Sequence, residues 1–117
     1  MPGTTIFGIP NCDTVKKARN WLDKHHVDYQ FHDFRRDGLT EKQIKTWLDK
    51  VDLDLLLNKR SRTWRELSDS DKSNVTESKG IKLMVKFPSL IKRPVLEHAK
   101  EIVVGFDPKQ YQSILKK

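Results

Sequence analysis

The stretch that decides the fold is residues 4–19, which read TTIFGIPNCDTVKKAR. Its first part, Thr4 to Ile9, is short, apolar and partly β-branched, as strands are. Pro10 interrupts that run, and from Val15 onward apolar residues recur at helical spacing. The stretch therefore predicts a strand, a turn that holds Cys12, and a helix.

The segment that follows completes a strand–helix–strand unit. Over residues 27–32, apolar Val27, Tyr29 and Phe31 alternate with polar residues, as in a half-buried strand. A right-handed crossover should place this strand parallel to the first one. The chain ends with a predicted hairpin, whose strands cover 95–97 and 102–104, and with a helix.

The middle of the chain, about residues 40–87, predicts a helical segment. It opens with Thr40 and Gln43, which fit a capping box. The elements predicted after this cap are a helix over 44–51, a short apolar turn or helix over 53–57, a polar basic loop over 58–66 and a helix over 76–87.

Length and composition fit one α/β domain over residues 1–117. The chain carries a net charge of +7, but its basic residues are dispersed and match no nucleic-acid motif, so we expect no specific nucleic-acid partner. No apolar run is long enough for a membrane span, and the first residues lack the pattern of a secretory signal. A single cysteine cannot form an internal disulfide. These features together predict a cytoplasmic protein with no membrane partner.

Cys12 is the candidate reactive group because it stands where the predicted helix begins. Unpaired backbone N–H groups and the helix dipole stabilise a thiolate there, and the thiolate is the nucleophile. Lys16 and Arg19 should add positive potential, and Asp13 should oppose it. Thr14 could donate a hydrogen bond to the sulfur or cap the helix.

The chemistry open to Cys12 is that of a single thiol. Position 15 is Val15, so no Cys-x-x-Cys pair exists. An oxidised Cys12 is therefore a sulfenic acid or a mixed disulfide, and an outside thiol must regenerate it. The alternative is a buried structural cysteine. Adjacent His25 and His26 would point apart on a helix, so we expect no metal site.

Four stretches and one further residue form a recognisable set of motifs. The stretches are IFGIPNCDTVKKAR at 6–19, LLNKRSRTWREL at 56–67, PSLIKRPVL at 88–96 and VGF at 104–106, and the residue is Tyr111. Together they resemble the ArsC family of reductases, and most closely its YffB-like subgroup. The resemblance spans nearly the whole chain.

The resemblance implies a thioredoxin-like fold, β-α-β then β-β-α, with the helical segment as an insertion. It implies that Cys12 is the catalytic nucleophile and that Arg93 is an anion ligand next to a cis-proline, Pro94. A guanidinium suits an oxyanion or a carboxylate of glutathione. Asn11 and Thr14 are further candidate substrate-binding residues beside the thiol.

The sequence departs from the arsenate reductases of this family at three places. Those enzymes carry three arginines around the oxyanion, of which only Arg93 is matched here. Asn58 occupies the second position, with Arg60 two residues on, and Gly105-Phe106 occupies the third. Their histidine four residues before the nucleophile is Gly8. Because two cations are missing, arsenate reduction is an alternative rather than the main prediction.

The function predicted is therefore that of a glutathione-dependent thiol reductase that works through a mixed disulfide on Cys12. Glutathione would be its co-substrate, glutaredoxin a further partner, and no cofactor would stay bound. A second alternative comes from the Spx-type regulators of the same family, which bind the RNA polymerase α subunit and carry a Cys-x-x-Cys redox switch that this sequence lacks. A third is a scaffold with a vestigial cysteine.

Overall fold

The computed structural model describes residues 3–117, and these fall into two compact units. The first unit is formed by the described residues up to Gly38 together with Arg93–Lys117, and the second is Leu39–Lys92. In chain order the elements are β1 (Thr4–Gly8), α1 (Asp13–Lys24), β2 (Gln30–Asp33), α2 (Phe34–Asp37), α3 (Glu41–Leu48), α4 (Leu53–Leu56), α5 (Arg62–Glu66), α6 (Asp69–Lys72), α7 (Glu77–Lys86), a 3-10 helix (Pro88–Leu90), β3 (Val95–His98), β4 (Glu101–Val104) and α8 (Pro108–Leu115).

The first unit is built on a four-stranded sheet in the order β2-β1-β3-β4. β1 pairs with β2 in parallel, as the strand–helix–strand pattern predicts. β3 pairs antiparallel with both β1 and β4. The β-α-β and β-β-α order of the thioredoxin-like fold is therefore confirmed.

The core of this unit forms where α1 and α8 pack their apolar faces with the strands. Burial of these side chains removes apolar surface from water, at about 25 cal/mol per Å². Asp107 caps α8 by accepting a hydrogen bond from the N–H of Lys109 at 3.0 Å, and Pro108 is its first residue. The buried members are Ile6, Ala18, Leu22, Leu96, Val103, Tyr111 and Leu115.

The second strand begins later than its alternating pattern predicts, at Gln30 instead of residue 27. The reason is the end of α1, where His26 adopts a left-handed conformation with φ of 55°. The N–H of Val27 donates to the carbonyl of Leu22 at 3.0 Å, and that of His26 to the carbonyl of Asp23 at 3.1 Å. This is a Schellman ending, so Val27 belongs to the helix terminus.

The second unit is helical. The predicted capping box at α3 is present: Thr40 Oγ1 accepts from the N–H of Gln43 at 3.1 Å, and the Gln43 side chain accepts from the N–H of Thr40 at 2.9 Å. Ile44 and Trp47 on α3 are fully buried. Gly80 on α7 lets Leu53 approach closely, because a Cβ at that position would lie 2.8 Å from Leu53 Cδ1.

Three short helices occur where the sequence predicts none. One is α6, where Ser68 Oγ accepts from the N–H of Asp71 at 3.1 Å. The polar segment 58–66 contains α5, because Ser61 Oγ accepts from the N–H of Trp64 at 3.1 Å. The residues after β2 form α2, because Asp33 accepts from the N–H of Arg35 at 2.9 Å. The predicted hairpin is present, with longer strands and Ala99 in its turn. Within residues 3–117, no helix is both long and apolar enough to span a membrane.

Candidate functional site

The candidate site lies in the turn that connects β1 to α1 in the first unit. β1 ends at Gly8, and a short turn leads to Cys12, the N-cap of α1, whose extended backbone has φ of −142° and ψ of 124°. The carbonyl of Cys12 already accepts the first helical hydrogen bond, from the N–H of Lys16 at 2.9 Å. The Cys12 side chain forms no capping hydrogen bond, and it is half-buried.

Gly8 allows the end of β1 to lie close to the first turn of α1. A Cβ built on Gly8 would lie 2.8 Å from Cγ2 of Val15, a stiff β-branched side chain in the first turn of α1. Residue 8 must therefore lack a side chain for the end of β1 to lie this close to the helix. From the sequence alone, Gly8 stands out only through the resemblance to arsenate reductases with a histidine there; its close packing against Val15 is visible only in the structure.

The sheet register brings Arg93 to the same end of β1. Phe7 near the end of β1 pairs with Val95 at the start of β3, so the residues just before β3 lie beside the turn that carries Cys12. The Arg93–Pro94 peptide bond is cis. The carbonyl of Pro94 accepts a hydrogen bond from the N–H of Gly105 at 2.8 Å, which ties this segment to the chain after β4.

The environment of Cys12 lowers the pKa of its thiol below the ordinary value. Partial burial is the largest influence and raises the pKa, because it disfavours the charged thiolate. The backbone N–H of Val15, the Arg93 guanidinium and the backbone N–H of Thr14 lower the pKa by more in total. Since the sulfur makes no formal cap bond, the N–H groups act on it as oriented dipoles of the helix terminus.

The other predicted neighbours of Cys12 have different roles. Cys12 itself occupies the N-cap, so Thr14 does not cap the helix, and its backbone N–H faces the sulfur instead. Arg19 is directed at β2: its Nε donates to the hydroxyl of Tyr29 at 3.2 Å, and its guanidinium lies 4.1 Å from the ring centre of Phe31. Arg93 therefore supplies the positive charge that was expected from Arg19 and Lys16.

Two predicted site residues belong to the second unit. Asn58 organises a turn there: its Oδ1 accepts from the N–H of Arg60 at 3.1 Å, and its own N–H donates to the carbonyl of Leu90 at 2.7 Å. Arg60 is exposed. Their part in binding a substrate of Cys12 stays a prediction. Asn11, in the first unit, is exposed in the turn just before Cys12.

This arrangement is that of a single activated thiol with one arginine. Within residues 3–117 no cluster of histidine, cysteine and carboxylate side chains could hold a metal ion. Cys12 is also the free cysteine of the chain. The site can therefore carry out nucleophilic attack at sulfur, with a guanidinium available to an anionic group of the partner.

Comparison with known proteins agrees with this geometry. A protein of Haemophilus influenzae is 38% identical over 109 residues, which cover 93% of this chain and 96% of that protein. The global transcriptional regulator Spx of Streptococcus pneumoniae is 29% identical, over 95% of this chain and 84% of the regulator. A solved structure described as the YffB protein is 41% identical, with a TM-score of 0.93 over 96% of this chain and 98% of that one.

The family assignment rests on the match of a whole-family model. The model of the ArsC family matches residues 7–114, which include the turn with Cys12, the helical second unit and the Arg93–Pro94 segment. The matched range covers all but the first residue of the motifs that resemble the family, and the thioredoxin-like strand order agrees with this match. The chain therefore belongs to the ArsC family.

Proposed function

We propose that this protein is a glutathione-dependent thiol reductase in which Cys12 is the nucleophile. The observation that carries the proposal is the position of the Cys12 thiol at the N-terminus of α1, where the helix N–H groups and Arg93 lower the pKa of the thiol. A lower pKa makes more thiolate available at neutral pH, and the thiolate is the attacking species. The need for reduced glutathione fits a reducing, cytoplasmic location.

The reaction follows from the presence of one cysteine. The Cys12 thiolate attacks the glutathione sulfur of a mixed disulfide between glutathione and a substrate thiol, and the substrate leaves as its thiolate. Cys12 is then joined to glutathione through a disulfide bond. A second glutathione thiolate attacks that bond, regenerates the Cys12 thiolate and leaves as oxidised glutathione. Each turnover thus consumes one free glutathione thiol, directly or through glutaredoxin, and the disulfide passes from the substrate to oxidised glutathione.

Arg93 has two tasks in this scheme. Its charge favours the Cys12 thiolate before attack and when it leaves again. Its fork of N–H donors also suits a carboxylate, and glutathione carries two carboxylates. Asn11 and Thr14, which flank Cys12 in the turn and the first helical turn, are the further candidates for contacts with glutathione.

Reaction with oxidised glutathione tests the proposal directly. We expect the reduced protein to gain one glutathione by intact mass, and to lose it when reduced glutathione is added. The matched control is Cys12→Ser, which should gain none. A Cys12 thiol that reacts with iodoacetamide yet takes up no glutathione would contradict the proposal.

The role of Arg93 is tested with two disulfides that differ in charge. We expect Arg93→Gln to slow the reaction with oxidised glutathione more than the reaction with hydroxyethyl disulfide, which is neutral. Loss of thiolate alone would slow both reactions equally. Equal slowing would therefore leave Arg93 with an electrostatic effect on Cys12 and contradict its contact with glutathione.

The similarity to Spx over 95% of this chain supports a second candidate, a regulator that binds RNA polymerase. The Cys-x-x-Cys pair is absent here, since position 15 is Val15. A pull-down with the C-terminal domain of the polymerase α subunit separates the two proposals. Tight binding that survives Cys12→Ser would favour the regulator, whereas turnover that depends on Cys12 favours the reductase.

A further inference from the structure

The second unit contains a cleft of its own, lined by charged and apolar side chains. Its volume is about 420 Å³, and its lining includes three cationic side chains, one carboxylate and two leucines. These lining residues, with one further polar side chain, are Asp54, Leu55, Leu57, Asn58, Lys59, Arg60 and Lys92.

The backbone around the cleft is held in place by hydrogen bonds between two segments. Leu57 and Ile91 form an antiparallel bridge, and both side chains are buried. The N–H of Lys92 donates to the carbonyl of Leu56 at 2.8 Å. The turn that presents Arg60 is closed by the side chain of Asn58. The cations of the cleft therefore project from a preorganised frame, which reduces the entropy lost on binding.

The charges of the cleft are only partly satisfied within the protein. Lys59 has two neighbours: its Nζ lies 3.6 Å from a carboxylate oxygen of Asp54 and 5.5 Å from the ring centre of Trp64. Across residues 3–117, neither Arg60 nor Lys92 has a carboxylate within ion-pair distance. Two exposed cations thus share one small concave surface, which attracts an anionic group.

An apolar side chain stands beside these cations. Leu55 is 44% exposed, and among residues 3–117 it is the large apolar side chain most open to solvent. A free inorganic anion gains nothing from Leu55. A nucleic acid strand is also a poor fit, because no aromatic residue lines the cleft for bases to stack on, and three cations match few phosphates. Carboxylates next to an apolar side chain match both features.

We infer that this cleft is a docking site for an acidic peptide segment of a partner protein, with carboxylates on Arg60 and Lys92 and an apolar side chain on Leu55. The inference goes beyond the proposed reductase function and does not depend on Cys12. It predicts that binding falls as salt rises, because exposed charges are screened.

Fluorescence anisotropy with a labelled short peptide of alternating glutamate and leucine tests the inference. We expect Arg60→Glu with Lys92→Glu to weaken binding about tenfold or more, and Leu55→Ser to weaken it several-fold. The matched control, Lys82→Glu with Lys109→Glu, changes the net charge equally at exposed positions outside the cleft and should have little effect. The same measurements with Cys12→Ser should match the unaltered protein, which keeps this test independent of the thiol chemistry.

Three results would overturn the inference, two from binding measurements and one from spectra. One is equal weakening by the cleft variant and the control variant, which would mean that only net charge matters. Another is competition by single-stranded DNA that is as strong as that by unlabelled peptide. Amide chemical shifts of the unaltered protein provide a check that needs no variant: peptide should move the signals of Leu55, Arg60 and Lys92, and an unchanged spectrum there contradicts docking.

Discussion

The N-termini of α1 and α3 differ in whether a side chain caps their free backbone N–H groups. Each helix begins with backbone N–H groups that have no partner within the helix. At α3, Thr40 and Gln43 satisfy them with a complete capping box. At α1, the cap residue is Cys12, whose side chain forms no capping hydrogen bond. α7 and α8 are capped by oxygen atoms of Thr76 and Asp107.

The capped end of α3 therefore contributes to stability, whereas the end of α1 stays available to stabilise a thiolate. An oxygen cap uses the N–H groups and contributes about 1 kcal/mol to stability. A sulfur at the cap leaves the positive end of the helix to act on a thiolate, and Arg93 adds a full charge to it. Among the helices of eight or more residues in the described chain, only α1 lacks an oxygen cap.

The largest effect that we expect on stability comes from the approach of β1 to this open terminus. Gly8→Ala would place a methyl group against Val15 Cγ2 and should destabilise the protein by about 1–3 kcal/mol. Urea denaturation measures this, and Gly3→Ala is the control, since a Cβ there meets nothing within 4 Å. The double variant Gly8→Ala with Val15→Ala should lose less stability than the two single variants lose together. Full additivity would rule out the contact.

The next effect concerns the charge beside Cys12. Arg93→Gln removes a cation that lowers the pKa of the thiol, so the midpoint of the iodoacetamide rate against pH should move upward. At pH values below the midpoint, the rate should fall several-fold. Arg35→Gln, at an exposed position on α2, is the control and should leave the profile unchanged. An unmoved midpoint in Arg93→Gln would leave the helix terminus as the only source of the lowered pKa.

The capped terminus should respond through stability alone. Thr40→Ala removes the oxygen that accepts from the N–H of Gln43 and should cost about 1 kcal/mol. The reactivity of Cys12 should not change. Thr46→Ala, an exposed site further along α3 where Thr46 bonds only to the carbonyl of Lys42, is the matched control and should cost nothing. Equal costs at the two threonines would refute the importance of the cap.

The smallest change in stability is expected from the variant that gives α1 an oxygen cap. Cys12→Ser supplies an oxygen cap and should stabilise the protein by a few tenths of a kcal/mol while it abolishes reaction with oxidised glutathione. The gain should be greatest at acidic pH. Because folding lowers the pKa of Cys12, its thiolate stabilises the unaltered protein fully at pH values above the ordinary thiol pKa. The unaltered protein loses this stabilisation as pH falls through the folded pKa, and Cys12→Ser has none to lose. Thermal melts against pH check this, and a gain that grows as pH rises would contradict it.

Much of the fold could be predicted because its signals are local. The run from Thr4 to Ile9, the capping box at Thr40 and the start of α8 at Asp107-Pro108 each lie within a few residues and hold in the structure. The short helices α2, α5 and α6 were not predicted. Each begins at one side-chain oxygen, from Asp33, Ser61 or Ser68, and such a residue marks a turn as readily as a helix start.

The sequence by itself determined that Cys12 begins a helix and that it has no partner cysteine, because both follow from neighbouring residues. Only the tertiary structure decided what surrounds the sulfur. Sheet register brings Arg93, which is distant in sequence, to Cys12. The position of α1 beside β2 gives Arg19 its contacts with Tyr29 and Phe31 instead. Close packing against Val15 requires glycine at position 8. Such contacts depend on how strands pair across the whole unit, so no local pattern encodes them.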